Sequence, residues 1–384
     1  MSPDTPGLRA LLLSASLGGG HQKAGEALTQ ALGELAPQFE AVHSDYLTYL
    51  NPLERSLSAG LYMAWLRYSP GSYRFFYDWT NRDSEPRIIT NSFHWAGVMG
   101  MARDLRRTRP QLVVSSYTAP ATLAGVVRER LKMRFLNAMI VTDYSIHKHW
   151  ARPEADLMLV PTEQAKRELV GWGIPAERLF VTGIPILPRY RTLVGADKGA
   201  LRRRFGLRPE DPVILVSSGA ARGTYHGVDE VCAAAAGLGT RVQVVLPAYN
   251  GPLGVERIGG ATIHRLGYTA EFPELLAASD LVVGKAGGLT VSEALALGVP
   301  LLVYQPIPGQ EEGNARYLEA EGAALWAKSN WELRRDLLTL LGEDRRRLAM
   351  SAAARRLGRP DAAFDAARLL LGKLGVPVQE NVLA

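Results

Sequence analysis

The sequence predicts an α/β fold built on two parallel sheets, one in each half of the chain. Short apolar runs bounded by glycine, proline or aspartate alternate with longer segments in which apolar residues keep helical spacing. This alternation is typical of parallel strands joined by crossover helices. The chain has 384 residues, of which 47% are hydrophobic, so it can fill two cores. The proline-rich run GIPILPRY marks the boundary between a first domain, 1–188, and a second domain, 189–360.

In the first half, apolar runs predict strands at 9–15, 39–43, 112–116, 137–142, 156–160 and 179–182. Helical spacing predicts a helix from the glycine loop SLGGGH to about residue 35, and further helices at 119–130 and 163–171. Residues 46–101 depart from this order because aromatic rings and arginines crowd them. This segment suits a helical hairpin of the core, and it also suits a surface that meets lipid.

The second half repeats the alternation of strands and helices. Strands are predicted at 213–217, 242–246, 262–266, 281–283 and 301–304, with helices at 228–238, at 289–297 and from 331 onward, the last at about 361–374. Ligands of such sheets bind at the carboxyl ends of the strands. With two such domains, we expect the glycine loops at 18–21 and 219–223 and the segment 284–293 to surround one cleft.

Composition excludes several classes of protein. The single cysteine, Cys232, excludes a disulfide framework and a cysteine-based metal cluster, and it fits a reducing cytosol. We expect neither a membrane-spanning helix nor a signal peptide, because no apolar run is long enough and the N-terminal pattern is absent. The net charge of +6 and the pI near 9.4 suit nucleic acid or an anionic membrane surface. No nucleic-acid-binding motif is present, so we expect the membrane surface and no nucleic acid as partner.

The most informative stretch is 282–314, VVGKAGGLTVSEALALGVPLLVYQPIPGQEEGN. A strand, a glycine turn and a helix follow one another, and the next strand leads to the predicted loop PGQEEGN. Glycines let a ligand approach the backbone, and the free N–H groups of a helix N-terminus bind anions. Carboxylates beside such a phosphate cradle accept hydrogen bonds from hydroxyls, so the stretch suits a sugar nucleotide. The alternative is an ordinary crossover in which the glycines only serve the turn.

The loop SLGGGH, 16–21, is the second landmark. Gly18, Gly19 and Gly20 can contact a diphosphate or an acceptor. His21 follows them at the start of the helix, where the helix dipole disfavours the imidazolium and keeps the ring neutral and basic. A base is needed when a hydroxyl attacks an anomeric carbon, because the hydroxyl must lose its proton. The alternative is that His21 only caps the helix.

These motifs resemble those of the glycosyltransferases that include monogalactosyldiacylglycerol synthases, bacterial processive diacylglycerol glucosyltransferases and, more distantly, MurG. In those families a KxGGxTxxEA segment followed by PGQExxN binds the UDP-sugar, and both patterns are present here. GGGH and VTDxxxxHxxW, which is VTDYSIHKHW at 141–150 in this chain, are further family segments. The resemblance implies the GT-B fold, in which two Rossmann-like domains with parallel sheets face each other across a cleft. It also implies that the last helix, within about 361–384, packs back on the first domain.

The resemblance implies roles for particular residues. In the family the GGGH histidine serves as the base or assists it, which assigns that role to His21, and Asp143 is expected to orient His21 or to help deprotonate the acceptor. Glu293 matches the residue that bonds the ribose hydroxyls, and Gln310 and Glu311 match the pair that contacts the hexose. The expected donor-binding set is Gly219, Arg222, Tyr268, Thr269, Lys285, Gly287, Gly288, Leu289, Thr290, Glu293, Gln310, Glu311 and Asn314.

For the nucleobase, Tyr268 falls where relatives place an aromatic ring against uracil, and Thr269 where backbone atoms read the base. A core position for Tyr268 is an equal alternative. Glycosyltransferases that depend on a metal usually hold it with an Asp-x-Asp pair, and this chain has none. We therefore expect no metal, and we expect helix N-termini, loop amides and Lys285 or Arg222 to neutralise the leaving UDP. The His-x-His pair in VTDYSIHKHW lacks further ligands nearby and does not indicate a metal site.

Together these features predict a cytoplasmic enzyme, peripheral on the inner face of the cell membrane. We expect it to transfer a hexose from a UDP-sugar to a lipid acceptor, first of all diacylglycerol, with inversion and without a metal. No cofactor is expected, since UDP-glucose or UDP-galactose is the donor substrate. Two alternatives stay open: another acceptor, such as a polyprenyl-linked sugar or a small hydroxylated metabolite, and a GT-B-like sugar-nucleotide epimerase. No oligomeric state is predicted.

Overall fold

A computed structural model describes residues 8–16, 19–55, 65, 68–81, 97–217 and 227–379. Its contacts divide the chain into two compact units, Met1–Pro188 with Asp361–Ala384, and Arg189–Pro360. Each unit is built on one sheet with helices packed against it, so the predicted α/β class is confirmed.

The first unit contains a parallel sheet. Its strands are β1 (Arg9–Ser14), β2 (Glu40–Asp45), β3 (Leu112–Ser115), β4 (Leu136–Ile140), β5 (Leu157–Val160) and β6 (Leu179–Val181). Its first helices are α1 (Gly19–Leu35), α2 (Pro52–Arg55), α3 (Pro70–Thr80), α4 (Val98–Thr108), α5 (Thr118–Leu131) and α6 (Glu163–Gly171). The six strands lie in the order β2-β1-β3-β4-β5-β6, so β1, β3 and β4 are neighbours.

The second unit contains a sheet of seven strands that is parallel except at one edge. Its strands are β7 (Val213–Ser217), β8 (Val242–Leu246), β9 (Gly254–Ile258), β10 (Ala261–Arg265), β11 (Leu281–Gly284), β12 (Leu301–Tyr304) and β13 (Ala324–Ala327). Its helices are α7 (Arg189–Thr192), α8 (Lys198–Arg204), α9 (Val228–Ala236), α10 (Phe272–Ala277), α11 (Gly288–Leu297), α12 (Gln310–Ala320), α13 (Asn330–Gly342) and α14 (Asp344–Leu357). The strand order is β13-β12-β11-β7-β8-β10-β9.

Alternate residues of a strand serve the two faces of each sheet. In β1, Ala10 and Leu12 belong to one apolar cluster, whereas Leu11 and Leu13 belong to a second cluster on the other face. A strand buried on both faces therefore has a nearly continuous apolar sequence, as β7 (VILVS) and β12 (LLVY) do. This explains why the central strands were predictable from the sequence.

The last helix, α15 (Ala362–Lys373), belongs to the first unit although it follows the second unit in the sequence. Phe364 and Leu370 share an apolar cluster with Leu28 of α1. Beyond the helix, the backbone N–H of Gln379 donates to the carbonyl of Leu35 at 2.8 Å. The apolar face of α15 therefore completes the core of the first unit.

Several elements differ from the prediction, and the short helices α7, α8 and α10 were not predicted. The strand β9 was not predicted, because it is a sheet edge whose five residues are all exposed and carry no apolar alternation. The short edge strand β13 was also missed. The glycines of SLGGGH were predicted as a loop, yet Gly19 and Gly20 are the first residues of α1. Likewise PGQEEGN was predicted as a loop, but α12 begins at Gln310, directly after Gly309.

Among the described residues, no helix is both long enough and apolar enough to cross a membrane.

Candidate functional site

In the first unit, three neighbouring strands bring polar groups to His21. Ser116 directly follows β3, and its backbone N–H donates to the carbonyl of Leu13 in β1 at 2.9 Å. The Nδ1 atom of His21 lies 2.7 Å from the carbonyl oxygen of Ser116 and 3.2 Å from Oγ1 of Thr142, which follows β4. The Ser116 hydroxyl donates to the His21 carbonyl at 2.8 Å. His21 is therefore fixed at the carboxyl edge of β1, β3 and β4.

These contacts define the proton arrangement of His21. Because the Ser116 carbonyl can only accept, Nδ1 carries the proton and donates, which leaves the lone pair on Nε2. Burial lowers the pKa of His21 to about 4, and the hydrogen bond to Ser116 opposes the shift only in part. The ring of Tyr117 meets the imidazole edge to face at 5.2 Å between centroids. The imidazole is thus neutral near pH 7 chiefly because of burial, and not chiefly because of the helix dipole as the sequence suggested.

His21 is the third residue of α1, so it lies beyond the position of a helix cap. Asp143 is adjacent to Thr142 and is buried. Burial is the main cause that raises the pKa of Tyr77 in α3, and the negative charge of Asp143 is the second. The charge of Asp143 therefore acts on Tyr77 of α3.

The pair His147 and His149 has a structural explanation. Nε2 of His147 lies 3.0 Å from the carbonyl of Tyr77, so it donates there, and Nδ1 accepts from the backbone N–H of His149 at 3.0 Å. Burial lowers the pKa of His147 to about 4. Nε2 of this buried ring thus holds VTDYSIHKHW against α3, and Nδ1 holds the turn within the segment. Within the described ranges, no group of three or more His, Cys, Asp or Glu side chains is placed to hold a metal ion.

In the second unit, the glycine turn after β11 leads directly into a helix. Gly284 packs so closely on β7 that a Cβ there would overlap the carbonyl oxygen of Ser217. Gly287 is the N-cap of α11 and, as a glycine, provides no side-chain cap, so this end of the helix presents backbone N–H groups and the positive end of the helix dipole. Lys285, only 8% exposed, is a buried cation of the turn and not a surface residue. Such a turn suits a phosphate group.

The first turns of α12 are tied to that glycine turn. Asn314 is fully buried, and its amide donates to the carbonyl of Ala286 at 2.9 Å, so in this structure it shapes the turn. The carboxylate of Glu311 accepts from the N–H of Ile307 at 2.7 Å. Burial raises the pKa of Glu311, although the charge of Lys285 and this hydrogen bond act against the shift. The two helix N-termini that follow β11 and β12 therefore form one connected structure.

Glu293 and Thr290 lie on α11, directly after this turn, and Tyr268 lies between β10 and α10. Glu293, in the second turn of α11, is buried. Burial is the main cause that raises the pKa of Tyr190 in α7, and the negative charge of Glu293 is the second. Oγ1 of Thr290 lies 3.4 Å from Oγ of Ser217. Tyr268 is 79% exposed, so the alternative of a core position is wrong and the ring is open to a stacking partner.

The remaining predicted residues are placed as follows. Thr269 precedes α10 and accepts from the N–H of Glu271 at 3.0 Å through Oγ1. Gly288 and Leu289 form the first turn of α11, and Gln310 is the first residue of α12. The predicted site residues Gly18, Gly219 and Arg222 lie outside the described residues.

Sequence reasoning missed three residues that hold the site. Ser116 and Thr142 fix the ring of His21, and the buried Tyr190 lies close enough to Glu293 for the charge of that carboxylate to raise its pKa. Ser116 and Thr142 each stand at the end of a predicted strand, which is where functional residues of a parallel sheet collect. The sequence contains no comparable signal for Tyr190, because it stands about a hundred residues before Glu293.

Comparison with known proteins gives matches in both halves of the chain. Residues 21–186 match the family model for monogalactosyldiacylglycerol (MGDG) synthase, and residues 252–365 match the C-terminal domain of glycosyltransferase family 28. A relative from Bacillus cytotoxicus, named processive diacylglycerol beta-glucosyltransferase, is 26% identical over 371 residues, which cover 94% of this chain and 93% of the relative. These matches confirm the family resemblance predicted from the motifs.

Solved structures show the same fold at lower sequence identity. MurG from Acinetobacter baumannii superimposes with a TM-score of 0.60 at 15% identity, covering 96% of this chain and 100% of MurG. The UDP-GlcNAc 2-epimerase from Neisseria meningitidis, bound to UDP-GlcNAc, gives a TM-score of 0.58 at 13% identity, covering 95% and 99%. The predicted GT-B type of fold is confirmed. Because a MurG and an epimerase share it, the fold alone does not separate transfer from epimerisation.

Proposed function

We infer that this member of the glycosyltransferases that include MGDG synthases, processive diacylglycerol glucosyltransferases and MurG moves a hexose from a UDP-sugar to the hydroxyl of diacylglycerol. The main support is the likeness, over 94% of the chain, to a relative named processive diacylglycerol beta-glucosyltransferase. The MGDG synthase match covers the half that holds His21, and the family 28 match covers the half that holds the glycine turn. The likeness to an epimerase structure at 13% identity supports the epimerase alternative only through the shared fold.

The donor belongs to the second unit in this proposal. The N–H groups at the start of α11 and the cation of Lys285 bind the diphosphate, and the carboxylate of Glu293 binds the ribose hydroxyls. The exposed ring of Tyr268 stacks on uracil. Gln310 and Glu311 contact the hexose from the start of α12.

The acceptor hydroxyl belongs to the first unit. Nε2 of His21 takes the proton of the hydroxyl while the oxygen attacks the anomeric carbon, and a single displacement of this kind inverts the configuration. A pKa of about 4 makes the free imidazole a weak base, so the imidazolium must be stabilised as it forms. We assign this role to Asp143, because it is a buried carboxylate that directly follows Thr142, the residue whose Oγ1 lies 3.2 Å from Nδ1 of His21.

The leaving UDP is neutralised without a metal in this proposal. The chain lacks the Asp-x-Asp pair with which such enzymes hold an ion, and the start of α11 offers N–H groups instead. We therefore expect initial rates to stay within about twofold when EDTA is added to the purified protein, as measured by glycolipid formation. If EDTA abolishes the activity and magnesium or manganese restores it, the mechanism without metal is wrong.

Lipid access motivates a second expectation. The net charge is +6, and Tyr68 and Phe75, from the aromatic segment, are exposed. We propose peripheral binding to anionic membranes through this segment. Co-sedimentation with vesicles that contain anionic lipid is expected to exceed that with neutral vesicles and to fall as salt rises, because salt screens the charges. Equal binding to both kinds of vesicle at low salt would contradict the proposal.

Product analysis tests the function itself. Purified protein is incubated with labelled UDP-glucose, UDP-galactose or UDP-GlcNAc and with vesicles that contain diacylglycerol or a polyprenyl-linked sugar. We expect label in a glycosyl diacylglycerol with a UDP-hexose as donor. Label in the polyprenyl lipid alone would identify another acceptor, and isomerised UDP-sugar without any glycolipid would identify an epimerase.

A further inference from the structure

The outer face of the helix α13, in the second unit, is basic and partly apolar. After Asn330, the exposed residues of this helix stand only at positions 331, 334, 335, 338 and 342. Steps of three and four residues return to the same side of a helix, so these positions share one face. The residues on this face are Trp331, Arg334, Arg335, Leu338 and Gly342. The face therefore carries no acidic residue.

The packing of α13 explains why this face points outward. Leucines on the other side of the helix are fully buried in the core of the second unit, and these are Leu333, Leu337 and Leu340. Asp336 is buried and pairs with Arg335 at 2.8 Å. The carboxylate of Glu332 accepts from the N–H of Lys328 at 2.5 Å. The exposed charges that the outer face of α13 presents are therefore guanidinium groups.

Trp331 and Arg335 form an amphipathic pair on this face. Trp331 is 69% exposed and Leu338 is 45% exposed, so both side chains contribute little to the core. The guanidinium of Arg335 lies over the ring of Trp331, 5.0 Å from its centroid. Tryptophan and arginine together suit the interface of a bilayer, where the ring lies at the level of the headgroups and the guanidinium meets phosphate.

The helix α14 continues this basic surface. Only Glu343 separates it from α13, and the two helices are joined by Arg347, whose Nη1 donates to the carbonyl of Leu340 at 3.2 Å. Three residues near the start of α14 are exposed, namely Arg345, Arg346 and Leu348. Residues 331–357 contain seven arginines and four acidic residues, so the two helices carry a net charge of +3, half of the +6 of the whole chain.

We propose that the exposed residues at 331–338 of α13 and 345–348 of α14, hereafter the α13–α14 surface, dock on the surface of an anionic membrane. Charge complementarity selects this partner, because the arginines bind lipid phosphates while Trp331, Leu338 and Leu348 enter the interfacial layer. This surface is additional to the aromatic segment of the first unit, to which the proposed function assigns membrane contact. Its binding to vesicles needs neither sugar donor nor acceptor, so it is measured apart from the enzymatic activity.

Trp331→Ser combined with Leu338→Ser tests the apolar part of the surface with little loss of core packing, because both side chains are exposed. We expect binding to mixed vesicles of phosphatidylglycerol and phosphatidylcholine to weaken about tenfold, since two apolar side chains no longer leave water on binding. Co-sedimentation at low salt measures the loss. The matched control is Leu253→Ser with Val255→Ser, which removes two exposed apolar side chains at β9, the edge of the sheet opposite to β13. This control is expected to bind as the unchanged protein does.

Arg345→Gln combined with Arg346→Gln tests the charged part of the surface. We expect binding to the same vesicles to weaken about tenfold or more at low salt and to depend less on salt, because two charges near the anionic surface are lost. Arg203→Gln with Arg257→Gln is the control, since it removes two exposed arginines elsewhere on the second unit and lowers the net charge equally. Binding of this control is expected to stay within about twofold of that of the unchanged protein. Thermal unfolding of all variants separates a general loss of stability from a local effect.

Tryptophan fluorescence locates the contact directly. Brominated phospholipids in the vesicles quench a tryptophan that enters the interfacial layer. Trp331→Phe keeps an aromatic ring, so this variant is expected to stay bound and to lose part of the quenching seen in the unchanged protein. Full quenching in Trp331→Phe would mean that Trp331 does not meet lipid, which would overturn the inference.

Three further results would also overturn it. Unchanged binding in the apolar and the charge variants would leave membrane contact to the first unit alone. Equal losses in the variants and their controls would mean a general effect of net charge or stability. If Trp331→Ser with Leu338→Ser converts a dimer into a monomer, as measured by light scattering, and vesicle binding is unchanged, a second copy of the chain covers this face instead of a membrane.

Discussion

Replacing His21 by glutamine is expected to lower turnover by about a hundredfold or more, in line with the usual contribution of a general base. Glutamine keeps much of the volume and one hydrogen bond to the Ser116 carbonyl, but it cannot take a proton near neutral pH. UDP affinity is expected to change little, because the donor residues belong to the second unit. Initial rates of glycolipid formation and calorimetric titration with UDP measure the two quantities.

A matched control for this variant is His43→Gln. His43 is half-buried in β2, and its Nε2 lies 2.9 Å from the hydroxyl of Ser14, so the change removes a hydrogen-bonded histidine from the same sheet. Turnover of this control is expected to stay near that of the unchanged protein. If His21→Gln also retains its turnover, Asp143 or water takes the proton. If the His21→Gln variant loses UDP affinity by the same factor as turnover, His21 contacts the phosphate instead.

The pH dependence gives an independent check on His21. A base is inactive when protonated, so a lowered pKa moves the acid limb of the rate profile to lower pH. With a pKa of about 4 for His21 in the free protein, kcat/KM is expected to hold as pH falls through 6.5 and to decline only as pH approaches 4. A decline of kcat/KM centred near the ordinary histidine value would mean that the ring is not desolvated in the free protein.

Replacing Glu293 by alanine is expected to weaken UDP binding about ten- to a hundredfold. A hydrogen bond to a charged group contributes about 1.5–3 kcal/mol, which corresponds to this range in the dissociation constant. Calorimetric titration with UDP measures the loss. Glu319→Ala is the control, since Glu319 is an exposed carboxylate of the same unit that accepts from the N–H of Trp326 at 3.0 Å. Equal affinity of the Glu293 variant and the unchanged protein would remove Glu293 from the donor site.

The sequence predicted those parts of the fold whose signal is local. A strand that is buried on both faces has a nearly continuous apolar sequence. The bounds predicted for β7 and β8 therefore agree with the observed ones. The start of α12 was missed because Pro306, Pro308 and Gly309 favour a loop, and the helix begins at the next residue. Glycine is a weak helix former, so the sequence also did not predict that α1 begins at Gly19, within the glycine run.

Contacts between distant segments limited the prediction of the site. The motif around the glycine turn indicated Lys285 and Glu311 as site residues, but only the fold shows that Asn314 is buried under the turn and bonded to Ala286. For His21, the sequence indicated a neutral ring, and the structure adds Ser116 and Thr142, which fix its tautomer. These partners follow other strands, and their meeting depends on the order of strands in the sheet.

The most direct test of the central claim is the fate of the anomeric carbon. Purified protein is incubated with UDP-glucose or UDP-galactose carrying ¹³C at that carbon and with vesicles of diacylglycerol, and the products are followed by NMR. We expect the label to appear in a β-glycosidic bond to diacylglycerol, inverted from the α-linked donor, and to be nearly absent when His21→Gln replaces the unchanged protein. Label that remains in UDP-sugar or appears only as an isomerised UDP-sugar or free hexose, without any bond to the lipid, would contradict transfer to diacylglycerol.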